Sequence, residues 1–184
     1  MDDLRTILIL GTGNSARSLM AEAILNRDGA GRVRAFSAGS HPAGAPHPSA
    51  IRLLKRKRHD TSALWPKGGT AFAGAGAPPV DFVITVCDRM EGEVCPAWPG
   101  QPIRAHWGMP DPVTATGTLS ERHLAFWNAY RTLELRVTAF LGLPLDRLDR
   151  HWLQAEVDRI GLLEVPGTLP AAPRQEEPVL PPPG

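Results

Sequence analysis

Short runs of branched apolar residues alternate along this chain with stretches of helical periodicity, and this alternation constrains the fold most. The predicted strands are Ile7–Leu10, Val33–Ser37, Val80–Val86 and Ile103–His106. The predicted helices cover a segment around Leu19–Ile24 that closes at Gly29 and Gly31, then His47–Arg58, Leu119–Leu141 and Leu148–Ile160. Such alternation predicts an α/β three-layer sandwich with a four-stranded parallel sheet covered on both faces. Ligands then bind beyond the carboxyl ends of the strands.

Two helices carry specific expectations. Ile51, Leu54 and Lys55 are expected to face inward from the second helix. The long helix has Leu124, Trp127, Leu135 and Phe140 at its apolar positions.

The chain divides into a predicted domain over residues 4–163 and a tail over 164–184. Seven of the 19 prolines lie between Pro166 and Pro183, in a stretch without apolar periodicity. This composition predicts a disordered tail with polyproline character. It can be a ligand for a proline-recognising domain, but a solvated tail with no partner is favoured.

Charge and cysteine content exclude several classes. Twenty Lys and Arg against 19 Asp and Glu leave a formal charge of +1, which disfavours a nucleic-acid binder. No apolar run approaches the roughly 20 residues of a membrane span, and no signal peptide is recognisable, so a cytoplasmic protein is expected. The only cysteines, Cys87 and Cys95, are too few for a disulfide scaffold or a four-cysteine zinc site. The basic run Lys55–His59 is interpreted as a solvated helix end rather than a docking patch for an acidic partner.

The segment Gly11–Ser18 lies between the first strand and the first helix and suits an anion. Its small residues let successive backbone N–H groups surround an oxyanion, and the positive end of the helix that begins near Arg17 faces the same point. Arg17 adds a bidentate guanidinium. A dinucleotide loop is disfavoured because the third glycine is missing, and no Walker lysine follows. A tight turn without a ligand remains possible on these residues alone.

Several motifs carry a resemblance to a known family. Thr12–Ser18 matches a pattern of a cysteine, five residues and Arg-Ser except at its first position, where Gly11 stands. The further motifs are Ser37–Ser40, Val86-Cys87-Asp88, Cys95-Pro96, Ala105-His106-Trp107 and Asp111-Pro112. Over roughly residues 5–160 the chain resembles the low-molecular-weight protein tyrosine phosphatases and, more closely, the thioredoxin-linked arsenate reductases that share their fold.

The resemblance implies a function and the residues for it. It implies that Thr12, Gly13, Asn14, Ser15, Ala16, Arg17 and Ser18 bind arsenate, phosphate or sulfate, and that Asp111 is the general acid. It implies that Cys87 and Cys95 form a redox relay for which thioredoxin is the reductant, with no bound cofactor. Gly11 stands where the family places its nucleophilic cysteine, and a glycine has no group that can attack.

The departure at Gly11 leaves alternatives open. The chain is either an arsenate reductase impaired by loss of the loop cysteine, or a non-catalytic oxyanion-binding protein that serves as a sensor or scaffold. Tyrosine phosphatase ancestry ranks lower, because Val113-Thr114 rather than tyrosines follow Asp111-Pro112.

Other interpretations of the cysteines and histidines carry less weight. No metal is expected, since the spacing of Cys87, Cys95 and His106 fits no common zinc pattern. His41 and His47, like His106, are interpreted as loop or core residues rather than bases. Either cysteine, taken alone, can be a small buried hydrophobe.

Overall fold

The protein folds around a four-stranded parallel sheet. The structure is a computed structural model, and it describes residues 4–73, 77, 79–87, 98, 101–145, 147 and 149–167. The strands are β1 (Arg5–Gly11), β2 (Val33–Gly39), β3 (Phe82–Thr85) and β4 (Ile103–His106). The helices are α1 (Arg17–Asp28), α2 (Pro48–Arg56), α3 (Leu119–Leu141) and α4 (Arg150–Gly161), with short 3₁₀ turns at Gly69–Phe72 and Pro112–Thr114. The strand order is β2-β1-β3-β4 with every pair parallel, which confirms the predicted fold class.

Alternate residues of β1 face two separate apolar clusters. Ile7 and Ile9 are fully buried in the larger cluster, to which all four α-helices contribute buried residues. Leu8 and Leu10 point to the opposite side of the sheet, where the smaller cluster includes Phe72 and Trp98. Because β1 is central and buried on both faces, its sequence is a continuous apolar run rather than an alternating one.

The site lies at the carboxyl ends of β1 and β3. Gly11 is the last residue of β1, and Val86 and Cys87 directly follow β3. Parallel strands deliver their carboxyl ends to one edge of the sheet, so the loop after β1 and the segment after β3 meet there.

The helix patterns predicted the elements better than they predicted the buried faces. The bounds of α3 are those predicted, and its buried stripe consists of Phe126, Ala129, Tyr130, Thr132, Leu133, Arg136, Val137 and Phe140. Leu124 and Leu135 lie off this stripe and are exposed. The expectation that Lys55 faces inward is wrong: α2 buries Ala50 and Leu54, and Lys55, one residue further round the helix, points to solvent.

Near the end of the domain, the Val165 side chain is buried. Leu163 is held by its carbonyl, which accepts a hydrogen bond from Arg136 Nε at 3.0 Å. The predicted proline-rich tail lies outside the described residues from 168 onward. None of the helices that the structure describes is long and apolar enough to cross a bilayer.

Candidate active site

The loop between β1 and α1 is fastened through its backbone carbonyls. Those of Gly11, Thr12, Gly13 and Ser15 accept hydrogen bonds from the backbone N–H groups of Ser40, His41, Ala43 and His47, at 3.3, 2.9, 2.8 and 2.8 Å. The C=O and N–H of one trans peptide point in opposite directions. The N–H groups of the same four peptides therefore face away from the 40–47 segment. Residues 11–18 also line a cavity.

Asn14 holds the loop from within and is 2% exposed. Its amide nitrogen donates to the hydroxyls of Ser37 and Ser18 at 2.7 and 3.0 Å, and its amide oxygen accepts from the backbone N–H of Lys67 at 2.7 Å. Asn14 has a φ of 45°, a left-handed conformation that asparagine tolerates better than most residues. Gly39 makes room for the loop, because a Cβ there would lie 2.5 Å from the Thr12 carbonyl oxygen.

A buried carboxylate lies behind this network. The Ser37 hydroxyl donates to Glu22, and the ammonium of Lys67 lies 3.4 Å from the same carboxylate oxygen. Burial raises the pKa of Glu22, although the Ser37 hydrogen bond and the Lys67 charge both favour the ionised form. Glu22 and Lys67 were not among the predicted site residues. The motif Ser37–Ser40 was the only sequence signal near them.

Arg17 connects the loop to the segments after β3 and β4. Its Nη1 donates to the carbonyls of Met109 and Val86 at 2.8 and 3.3 Å. Its Nη2 lies 2.7 Å from Asp111 Oδ2 and 3.6 Å from Cys87 Sγ. The guanidinium is therefore held at the cavity wall in contact with a carboxylate.

Cys87 closes the cavity opposite the start of the loop. Its side chain is buried, and its sulfur lies 3.0 Å from the Thr12 hydroxyl. Cys95, the other member of the predicted pair, and Asp88 lie outside the described residues.

Position 11 has room for a small side chain. A Cβ on Gly11 would lie 3.2 Å from Ser18 Oγ and 3.8 Å from Val86 Cγ2. A shift of a few tenths of an ångström by the serine hydroxyl would accommodate it.

Asp111 lies at the mouth of the cavity, which has a volume of about 350 Å³. Its carboxylate accepts from the Val113 N–H at 3.0 Å and so caps the 3₁₀ turn over Pro112–Thr114. His47 faces the same carboxylate: burial lowers the pKa of His47, and the charge of Asp111 opposes this effect.

The structure therefore brings together Gly11–Ser18, Cys87 and Asp111 around one cavity. Among the described residues, no group of three or more His, Cys, Asp or Glu side chains is arranged to hold a metal ion. His106 lies at the end of β4, with its Nδ1 2.7 Å from the Thr85 hydroxyl. His47 stacks on Phe126.

Comparison with known proteins identifies the family. The model of the low molecular weight phosphotyrosine protein phosphatase family matches residues 6–154. The chain belongs to this family. The arsenate reductase of Halalkalibacterium halodurans is 31% identical over 136 residues, which cover 74% of this chain and 94% of that protein. The sequence is thus that of an arsenate reductase-like member of the phosphatase family.

Solved structures agree on the fold. A structure of an arsenate reductase in the phosphate binding state has a TM-score of 0.61 and 24% identity, covering 75% of this chain and 97% of that one. The tyrosine phosphatase Wzb from Escherichia coli K30, in complex with sulphate, has a TM-score of 0.60 and 19% identity, covering 76% of this chain and 97% of that one. At these identities the likeness concerns the fold alone.

Proposed function

We propose that this chain binds a tetrahedral oxyanion, arsenate or phosphate, in the loop at residues 12–18. We propose further that it is an arsenate reductase-like protein whose reduction step is impaired, because position 11 carries glycine in place of the family's nucleophilic cysteine. The observation that carries the proposal is the loop itself. Its carbonyls are bonded outward, its residues line one cavity together with Arg17, and position 11 carries no nucleophilic side chain.

We expect the anion to replace the Asp111 carboxylate as the partner of Arg17. Two or more loop N–H groups and the positive end of α1 favour a negative charge at the centre of the loop. Arg17 now contacts the Asp111 carboxylate at 2.7 Å. An incoming oxyanion offers the same guanidinium a second pair of oxygens, which releases Asp111 to reach a leaving oxygen as general acid.

The missing chemistry is the first covalent step. The hydroxyls of Thr12, Ser15 and Ser18 are poor nucleophiles without a general base. In the described residues no carboxylate or histidine is among their hydrogen-bond partners. With a cysteine at position 11, its thiolate would displace an arsenate hydroxyl that Asp111 protonates, giving a sulfur–arsenic(V) bond and water.

The second step assigns Cys87 its role as the relay thiol. Its thiolate would attack the sulfur of that adduct, and the sulfur–arsenic bond would break with its electron pair going to arsenic. Arsenite leaves, and a disulfide forms. Cys95 would then exchange into this disulfide, and thioredoxin would reduce the result. The 3.0 Å contact between Cys87 Sγ and the Thr12 hydroxyl supports this role, because the sulfur lies beside the loop.

Exchange at position 11 tests the proposal. The experiment compares the unmodified chain, Gly11→Cys and Gly11→Ser in thioredoxin-coupled arsenate reduction, with phosphate binding measured by calorimetric titration. Serine has the size of cysteine but lacks the thiol, so it is the matched control. We expect all three proteins to bind phosphate, and Gly11→Cys alone to reduce arsenate, faster by at least about 1,000-fold.

Three results would contradict the proposal. If the unmodified chain reduces arsenate as fast as Gly11→Cys does, the claim that reduction is impaired is wrong. If Gly11→Ser and Gly11→Cys have equal rates, the claim that a thiol at position 11 performs the first step is wrong. If phosphate does not bind at millimolar concentration, the claim of an anion site is wrong.

Gly11 also favours a second candidate, a non-catalytic oxyanion-binding protein. In that case Gly11→Cys binds phosphate yet stays inactive, because the rest of the relay no longer operates.

If the chain is instead a tyrosine phosphatase, Gly11→Cys should hydrolyse a phosphotyrosine peptide, and this activity should not require Cys87. The Cys87→Ser change in the Gly11→Cys background therefore separates the reductase from the phosphatase.

A further inference from the structure

We propose that a groove between α2 and α3 binds an acidic peptide segment of a partner protein, with an apolar side chain of that segment seated on the groove floor. This inference does not depend on the proposed function, because the groove is separate from the anion cavity and shares no lining residue with it.

The groove has an apolar floor. It has a volume of about 620 Å³, and its floor is made by Leu53, Leu124, Phe126 and Trp127. Leu124 lies in the second turn of α3 and is 53% exposed. With Leu53 and Trp127 in the same groove it forms a contiguous apolar patch, and such patches mark binding surfaces.

Three cations from one side and a histidine from the other lie around this floor. Arg52, Arg56 and Lys57 come from α2 and the residue after it, and His123 comes from α3. No Asp or Glu is among the described residues that line the groove. Glu121, the carboxylate closest in sequence to Ser120 at the groove edge, caps the start of α3 by accepting from the N–H and hydroxyl of Thr118.

The arginines of the groove lack partners. In the part of the chain that the structure describes, neither Arg52 nor Arg56 takes part in an ion pair or a side-chain hydrogen bond. The ammonium of Lys57 lies 4.3 Å from the centre of the Trp127 ring. The helix-end explanation of the basic run Lys55–His59 does not account for Arg52, which precedes the last turn of α2.

The charges around the groove favour an acidic peptide over a small molecule or a nucleic acid. A positive rim around an apolar floor matches a segment with carboxylates on both sides of an apolar residue. Arg52, Arg56 and Ser120 are exposed at the rim, so the groove is too open to enclose a small molecule as ligand pockets do. With a formal net charge of +1, the chain lacks the general excess of cations that a nucleic acid requires.

The groove adjoins the anion site through His47. The His47 ring stacks on Phe126 with 4.7 Å between ring centres, and its backbone N–H donates to the Ser15 carbonyl of the loop. His47 therefore contacts both a groove residue and the loop of the anion site.

A labelled peptide tests the inference on the full-length protein. The probe is a short synthetic peptide with glutamates on both sides of a leucine and a phenylalanine, and its binding is followed by fluorescence anisotropy without phosphate. Two matched peptides carry lysines for the glutamates, or serines for the apolar residues. Arg52→Glu has Lys55→Glu as its control, because Lys55 is exposed on the same helix but does not line the groove. Leu124→Ser tests the floor without touching the core.

We expect the acidic peptide to bind, with a dissociation constant raised about tenfold or more by Arg52→Glu and about threefold or more by Leu124→Ser. Lys55→Glu should change it less than about twofold. The circular dichroism spectra and phosphate affinities of the variants should match those of the unmodified chain.

Several outcomes would overturn the inference. It fails if the acidic peptide does not bind at millimolar concentration, or if the serine-substituted peptide binds equally well. It also fails if Lys55→Glu weakens binding as much as Arg52→Glu does. Tighter binding of a free aromatic carboxylate, or of vesicles containing phosphatidylserine, would assign the groove to a small ligand or to a membrane surface instead.

Discussion

Substitution of Asn14 by alanine would remove the side chain that fixes the anion loop from within. Asn14 is buried and makes three hydrogen bonds, to the hydroxyls of Ser18 and Ser37 and to the backbone N–H of Lys67. The substitution removes all three at once. It leaves the Lys67 N–H without this acceptor in a part-buried position.

The magnitude follows from two contributions. Each hydrogen bond contributes about 1 kcal/mol net, which gives about 3 kcal/mol for the three. The φ of 45° at this position disfavours alanine by about 1 kcal/mol. The expected loss in the free energy of unfolding is therefore about 4 kcal/mol for Asn14→Ala.

Asn14→Gly separates the two contributions, because glycine loses the same hydrogen bonds but adopts a positive φ freely. We expect Asn14→Gly to be more stable than Asn14→Ala by about 1 kcal/mol. Both variants should bind phosphate more weakly than the unmodified chain, since the loop N–H groups lose their fixed direction.

Urea unfolding followed by circular dichroism measures the effect. With a denaturant slope of about 2 kcal/mol/M, Asn14→Ala should lower the midpoint by about 2 M at an unchanged slope. An alanine variant within about 1 kcal/mol of the unmodified chain would refute the reasoning, and so would a glycine variant less stable than the alanine one.

Two further predictions concern Glu22 and Gly161. The raised pKa of Glu22 means that the folded state holds a proton more tightly than the unfolded state, so stability is lost as pH rises through the interval that begins at the ordinary value of 4.5. Urea titrations of Glu22→Gln and of the unmodified chain give the difference between their free energies of unfolding. This difference, variant minus unmodified chain, should grow from about pH 4 to pH 7. A difference that stays constant or falls contradicts the prediction. In Gly161→Ala, the new Cβ lies 2.5 Å from the His106 carbonyl oxygen, so thermal unfolding should show a loss of about 2 kcal/mol. Gly44→Ala, with open space around it, should stay within about 0.5 kcal/mol.

The sequence predicted the architecture because backbone periodicity determines it. The branched run Ile7–Leu10 identified β1, although the strand extends over Arg5–Gly11. The regular pattern of Leu119–Leu141 identified α3 together with its bounds. The buried face of each helix was harder to predict, since Leu124 and Leu135 are as apolar as the residues of the core. Their exposure depends on which neighbours the helix meets, and this information is not local.

Only the local part of the candidate site could be predicted from the sequence, and the roles of its residues stay predictions. Gly11–Ser18 is one contiguous segment whose composition indicates an anion, so its pattern is visible in the sequence. The Asn14–Ser37–Glu22–Lys67 network joins residues up to 53 positions apart through single hydrogen bonds. No periodicity marks such contacts. The groove between α2 and α3 likewise joins a basic run to a distant helix.

The outward bonding of the loop carbonyls separates the shape of the anion site from the chemistry performed in it. None of the four bonds to Ser40, His41, Ala43 and His47 involves a side chain of the loop, so the residue at position 11 can be exchanged while the binding surface persists. With the proposed function, the chain binds an oxyanion without consuming it and can serve as a capture reagent. We expect the immobilised, unmodified protein to retain arsenate or phosphate from solution, and the Gly11→Cys variant to reduce arsenate at the same surface.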